Sequence, residues 1–600
     1  MMKLKKLIAL LLAICCAVPF TACGEEADGD KTQINFINFN GGIGSVWLEE
    51  AAERFKTAKA ETSYAPGKQG VTFDFTKTMK VGTGSMKSQG YHIYTYEQFE
   101  EAVPALLAAE GKLLDITDIV KDTTREGGSL EENLFDQVKG SLGYEENGEF
   151  RYFGLPHYES YGGLQYNHGK VMAENDGKGV FIAHPDETDI TEFASSKYGS
   201  INLVASTDAK KSAGPDGEEG TTDDGLPASL QELIIWLAYF KEVENYQPVN
   251  ISGQYNNMSN YLSSGLFGSL AGQEQMTNYY NSTGWVEIVK REGAGTVKYT
   301  NENLFEGIDY IKRPETEWVE LNATNGYLAQ DMVAKFYTCA FFEIIVKEDF
   351  LTKDSNISTK NHYDAQAAMF CGEYVDEYDE CIVVMEASYW YNEAEEGGTL
   401  SLYESVSGGK KAADLDLRMY PLPSKVYNNI KTGSSAFDAD AADKYGEILV
   451  GRPTTFVDIS HCYLFVNGNI ADQPEILAAV KDFVKFLYSE DELAAFTVVT
   501  GEPRAIKYSM TDAQLQAAGN YVKNLWSLRD NEEGSNILYC SGTTDTFRKI
   551  RGDYKLYLGG NPFKVGNTNN FLSAAKQQKS TEQMFNGSGM TADGWANLVG

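Results

Sequence analysis

Six hundred residues carry 51 Lys and Arg against 86 Asp and Glu, a formal charge of −35. That field opposes nucleic acid and anionic membrane surfaces as partners, and the length exceeds what one hydrophobic core serves, so two to four structural units are expected. Hydrophobic residues at 42%, with 36 tyrosines and 7 tryptophans, supply globular cores and leave amphipathic rings over for binding surfaces.

The chain starts "MMKLKKLIALLLAICCAVPFTACG". Lys3, Lys5 and Lys6 precede an apolar run from Leu7 to Val18, too short for a bilayer, which takes ~20 residues. Residues 1–22 therefore read as an export signal. Phe20-Thr21-Ala22-Cys23 resembles a bacterial lipobox, with Phe20 in place of the usual Leu; Cys23 would be the lipidated first residue of the mature chain. Residues 23–31 are then a lipidated cysteine and a polar tether. No later segment is long and apolar enough to cross a membrane.

"INFINFNGGIGSVWLEEAAERF" (34–55) predicts a strand, a glycine turn and an amphipathic helix with Trp47, Leu48, Ala51, Ala52 and Phe55 on one face. A glycine turn entering a helix is a phosphate cradle in nucleotide sites. The motif is incomplete here, because Trp47 stands where GxGxxG needs its third glycine, and no GxxxxGK[ST] occurs. Further on, 71–76 and 201–205 read as strands, and 97–110, 229–243 and 474–488 as helices. Ser229 and Glu232 form a capping-box signature, and Ile476, Leu477, Val480, Phe483, Val484 and Leu487 a clean helical stripe. Gly- and Asp-rich stretches near 62–70, 121–128, 208–225, 393–411 and 434–442 punctuate the chain. The alternation predicts α/β layers with mostly parallel sheets.

Chemistry is harder to find. None of the six histidines makes HExxH or a zinc spacing, and no GxSxG elbow is present. No cofactor or metal is implied, and no catalytic residue can be named, although a glycosidase needs only two well-placed carboxylates. After Cys23 come Cys339, Cys371, Cys381, Cys462 and Cys540, without a CxxC; one or two disulfides and buried free thiols are both open. The loop "DAKKSAGPDGEEGTTDDGLP" (208–227) offers Asp216, Glu218, Asp223 and Asp224 to a calcium ion, or is a turn capping the next helix; its spacing is not that of an EF-hand.

Several segments in order resemble the family 1 extracellular solute-binding proteins of bacterial ABC importers, the carbohydrate group. "FINFNGGIGSVWLEEAAERF" is similar to their first strand, turn and helix; "EGKLLDITDIV" (110–120), "GEFRYFGLPHYESYGGLQYNHGKV" (148–171), "GLPASLQEL" (225–233), "VVMEASYWYNEAE" (383–395), "LRMYPLPSKV" (417–426) and "TGEPRAI" (500–506) follow. Pro156, Tyr166 and Asn167 match the most diagnostic run. His92 stands where an Asp commonly follows the second strand, and the chain is longer than a typical member, with insertions expected in the C-terminal lobe, including 255–330.

The resemblance implies a two-lobe, periplasmic-binding-protein-like (type II) α/β fold with a hinge and an interlobe ligand cleft. The lobes would be 32–156 plus 456–503 and 157–455 plus 504–600. It implies a lipid-anchored receptor on the extracellular face of a Gram-positive cell membrane, not an enzyme, monomeric, with an oligosaccharide and ABC permease subunits as partners. Ligand contacts are expected from Asn40, Gly41, Tyr94, Tyr96 and Glu97, from Tyr158, Glu159 and Tyr161, and from Tyr255, Tyr389, Trp390 and Asn392. Rings would stack on sugar faces while Asn and Glu fix hydroxyls. Arg504 looks like a hinge anchor. The rival readings are a surface glycoside hydrolase and a peptide- or polyamine-binding protein of the same fold.

Overall fold

The apolar run at 34–39 becomes strand β1 (Thr32–Phe39), and the helical stripe behind it becomes helix α1 (Val46–Ala58), burying Trp47, Leu48, Ala51, Ala52 and Phe55. This is seen in a computed structural model that describes residues 28–599, except 80, 83–85, 87–89, 97–103, 126, 294, 428–454, 459–461, 530–535, most of 540–569, and 589. The export signal, Cys23, Glu97 and Cys540 lie outside the described residues.

β1 is followed by β2 (Val71–Thr78), β3 (Ile93–Tyr96) and the short β4 (Leu155–Pro156). The chain then enters a second unit with β5 (Gly162–Asn167), α2 (Leu230–Glu242), β6 (Val249–Asn250), α3 (Ser259–Ala271), α4 (Val333–Lys347), α5 (His362–Cys371), β7 (Val383–Ala387), α6 (Trp390–Glu396) and β8 (Leu417–Tyr420). It continues through β9 (Phe456–Asp458), β10 (Tyr463–Val466), α7 (Pro474–Leu487), α8 (Glu490–Thr500), α9 (Asn520–Leu528) and β11 (Ile537–Tyr539).

Two sheets organise the molecule. The first has the order β2-β1-β3-β10-β4, the second β6-β7-β5-β8. Both are mixed, which corrects the expectation of mostly parallel sheets. β1 runs parallel to β2 and β3, but β10 is antiparallel to β3 and β4; β6 and β7 are parallel, while β5 opposes both β7 and β8. The reversed strands are those next to a crossing between sheets, where the chain re-enters a sheet from the far side.

The chain passes from the first sheet to the second at 157–161, returns between β8 and β10, and leaves again after α8. Short contacts tie the crossings together: Tyr161 forms a backbone bridge with Asp458, the Ser160 N–H donates to the Asp458 carboxylate at 3.0 Å, and the Glu159 N–H donates to the Pro503 carbonyl at 2.8 Å. Around the first sheet, Phe36 meets Trp47 and Phe483 edge-on at 6.4 and 6.5 Å, so α1 and α7 close one core. Alternation along β7 divides the second sheet's faces. Val383, Met385 and Ala387 join a core with α2, α3 and α4, whereas Val384 turns towards α5 and α6.

α2 carries the expected Ser229/Glu232 capping box. The strands between Gly284 and Leu321 and the helices Phe571–Lys576 and Thr581–Phe585 add their apolar faces to the same second core, so the extra length thickens that unit. Cys339, Cys371 and Cys381 are buried free thiols, and Cys462 is buried as well.

Candidate functional site

The turn after β1 is knotted by Asn38. Its buried amide donates to the Gly44 carbonyl at 3.1 Å and the Ser45 hydroxyl at 3.0 Å, and its oxygen accepts from Thr95 at 2.6 Å. Asn40 accepts from the Ser45 hydroxyl, which fixes the first residue of the turn. Gly42 adopts φ 56°, a left-handed conformation natural to glycine.

Gly42 is also where the two units meet. A β-carbon added there would lie 3.2 Å from the Tyr158 hydroxyl and 3.6 Å from the Tyr389 ring. The Asn392 amide donates to the Gly42 carbonyl at 2.9 Å, and Glu396 reaches to within 3.1 Å of a β-carbon placed on Gly44. The structure therefore brings Asn40, Gly41, Tyr158, Tyr389 and Asn392 to one seam. Gly41 lies against Phe39 and Met79, the latter exposed on the rim.

On the second unit, Tyr389 is the residue before α6, two beyond the end of β7, and its hydroxyl shares a 2.8 Å hydrogen bond with that of Tyr261 on α3. Tyr255 is 40% exposed, with the His362 ring 5.8 Å away. Behind these tyrosines lies a polar group that the sequence reading did not name. Glu386, at the end of β7, is wholly buried, and neither carboxylate oxygen has a hydrogen-bond partner. Gln366 of α5 is equally buried, and both ends of its amide are unbonded. Glu393, one turn into α6, has Oε2 sealed from solvent and unbonded.

Burial dominates the electrostatics here. It pushes Glu386 well above the usual carboxylate range, with Glu393 adding to the shift and the nearby Gln366 and Ala387 groups tempering it. Burial, with Glu396, pushes Glu393 up to about 8. The same two acids disfavour ionisation of the Tyr261 and Tyr389 phenols, which places all four groups within electrostatic reach of one another. The signal for Glu386 was an acid standing in the apolar run "IVVMEA"; that for Glu393 was its place one helical turn after Tyr389.

Other expected contacts lie elsewhere. Tyr94 and Tyr96 are wholly buried in the first core; the Tyr94 hydroxyl donates to the Met86 carbonyl at 3.0 Å, and Tyr96 packs against Phe465. Glu159 is held by Arg529 in a buried pair at 2.9 Å, and also accepts from Tyr539 at 2.7 Å and from Tyr161. Tyr161 stacks on Phe456 at 5.1 Å. Trp390 has no exposed surface and meets Tyr521 edge-on at 5.7 Å, which makes it a packing residue beneath the seam. Their strands and crossings turn these side chains inward, and residue type alone does not reveal that. Arg504 lies in an aromatic cage, 3.9 Å from the Phe496 ring, and donates to the His157 carbonyl at 2.8 Å.

In the acidic loop, Asp223 is buried and accepts from the Asp216 N–H at 3.1 Å and from Thr221 at 2.5 Å, and burial beside Asp216 pushes it up to about 7. Among the described residues, no group of three or more His, Cys, Asp or Glu is placed to hold a metal ion.

No family model matches the chain, and no curated sequence does. Among solved structures the chain is similar to a chitin oligosaccharide binding protein, with 13% identity, 95% of this chain and 100% of that chain covered, and a TM-score of 0.51. It is also similar to a probable secreted solute-binding lipoprotein from Streptomyces coelicolor (12% identity, 92% and 99% covered, TM-score 0.46). A third is the galacto-N-biose-/lacto-N-biose I-binding protein of the ABC transporter from Bifidobacterium longum (12%, 95% and 98%, 0.44). At such identities the likeness is one of fold. The chain has the two-lobe solute-binding fold expected from its sequence.

Proposed function

We propose that this protein is an extracellular receptor that captures a carbohydrate between its lobes and delivers it to an ABC import permease, anchored through lipid on Cys23. The observation that carries the reading is the seam at Gly42. Two sheets, joined by three crossings, bring a glycine turn, Tyr158 and the Tyr389–Asn392 segment to one place. Rings that offer an apolar face and a hydroxyl suit a sugar, whose ring does the same. The chitin oligosaccharide binding protein supports the reading through its shared fold. The lobes in this reading are 32–156 plus 456–503 and 157–455 plus 504–600, limits supported by the crossings at 157–161 and after α8. Hinge closure would then distinguish loaded from unloaded receptor for the permease.

Glu386 and Glu393 also suggest a glycoside hydrolase, because that chemistry needs two carboxylates. It needs one of them ionised, however, and here burial raises both. A non-catalytic receptor is the better fit. Calorimetric titration against a panel of oligosaccharides, with the glycan recovered and sized afterwards, tests this. Saturable binding with intact glycan is expected. Cleaved product would move the protein to the hydrolases, and silence across the panel would end the carbohydrate reading.

A further inference from the structure

Glu386 and Gln366 present a physical problem. Buried polar groups in folded proteins are almost always hydrogen-bonded, and one left unpaired is destabilising. Here both oxygens of Glu386, both ends of the Gln366 amide and Oε2 of Glu393 are sealed from solvent without partners. Gln366 lies beside Glu386 without reaching hydrogen-bond geometry. They sit behind Tyr261 and Tyr389, and Tyr389 touches Gly42 of the opposite lobe. Such a group, at the meeting of two lobes, is the negative image of something that binds there.

The chemistry of that something is legible. The unbonded atoms are mainly acceptors: two on Glu386, one on Glu393 and one on Gln366. The titratable groups facing them are Tyr261 of α3, Tyr389, Glu393 and Glu396 of α6, and Tyr521 of α9. Among the described residues, neither Glu386 nor Glu393 has an ion pair with a lysine, arginine or histidine. A neutral hydroxyl brings one donor and two acceptor lone pairs, so it can serve only one of these four acceptors. A protonated primary amine brings three donors, and its charge favours the ionised form of the acid it meets. A divalent metal would need a denser oxygen shell than two acids provide.

We infer that the cargo of this cleft carries a protonated amine seated between Glu386 and Glu393, so that among carbohydrates the site selects amino sugars whose nitrogen is free rather than acylated. This rests on the carbohydrate-receptor reading for the sugar, and on the buried cluster for the amine. The unloaded acids are held protonated by burial, so seating an ammonium ion between them ionises at least one and releases its proton to solvent.

The test is calorimetry of the purified protein at pH 7 in two buffers of different ionisation enthalpy. The probes are the fully de-N-acetylated β-1,4-glucosamine tetramer, its N-acetylated counterpart, maltotetraose and spermidine. The expected result is that the glucosamine tetramer binds at least tenfold tighter than the acetylated one, with proton release. Glu386→Gln should remove that preference, and Glu393→Gln should weaken it. Both substitutions keep side-chain shape, and a melt at or above that of the parent certifies folding. If the acetylated or neutral tetramer binds as tightly as the amine, or if both variants keep the preference, the amine inference is overturned while the carbohydrate reading stands. If spermidine alone binds, the amine seat stands and the carbohydrate reading falls. Silence from every probe overturns both.

Discussion

A carboxylate held protonated by burial stabilises the folded state only while it keeps its proton. Glu393 rises from the ordinary carboxylate range to about 8, so the folded chain binds that proton more tightly than the unfolded chain does. Its contribution is fully present below about pH 4.5 and is lost as pH rises through 8. Glu393→Gln removes the titration. The melting temperature of the unloaded variant should therefore exceed that of the parent by a margin that widens from pH 5 to pH 8, read by calorimetric scans; a constant margin would mean that the carboxylate is already hydrated in solution. Trp390 makes a second prediction. With its ring wholly buried against Tyr521, Trp390→Ala should destabilise the fold by about 3–5 kcal/mol in denaturant titration. A sugar-stacking plate would instead lose affinity at nearly constant stability. The sequence could not make this distinction, since an aromatic in a cleft-forming segment and one beneath it carry the same pattern. Glu386 was hidden for the opposite reason: a strand acid is ordinarily solvated, and only burial turns it into a site residue.

At the scale of elements, the contact between the turn after β1 and the start of α6 is the working part of the seam. The Asn392 amide reaches across it to the Gly42 carbonyl. A neutral hydrogen bond of this kind contributes about 0.5–1.5 kcal/mol. Asn392→Ala should therefore weaken ligand binding by roughly two- to tenfold and shift small-angle scattering towards a more extended particle. An unchanged profile with unchanged affinity would remove Asn392 from closure. Helices were the most legible elements. α2 and α7 fall within a residue of their expected limits, because a capping box starts one and an unbroken apolar stripe defines the other. The turn at Asn40–Gly44 was legible for the same reason, as glycines cannot hide. Strand direction was not, because β10 looks like any buried strand and its partners lie hundreds of residues earlier. The helix expected at 97–110 is described only from Pro104 to Ala109.

Over the whole molecule, the three crossings converge on a buried charge. Glu159 of the first crossing is held by Arg529, which also donates to the carbonyls of Arg504 and Ile506 beyond the third. Removing one partner of such a pair strands the other. Arg529→Met should destabilise the chain by about 3–5 kcal/mol in denaturant titration, and adding Glu159→Gln should recover much of the loss. If the double variant is no better than the single one, the pair is not the unit that holds the crossings. A second consequence follows from the strand order of the first sheet, where β10 lies between β3 and β4. Everything from β5 to β9 is synthesised between the early strands and this interior one. As the polypeptide is synthesised, the first lobe has an open sheet edge and an unfilled centre until residue 466 is made, whereas the second sheet is already complete at Tyr420. The lobe that begins first must therefore finish last, and insertion of β10 is the step at which a newly made chain is most exposed to aggregation or to a chaperone.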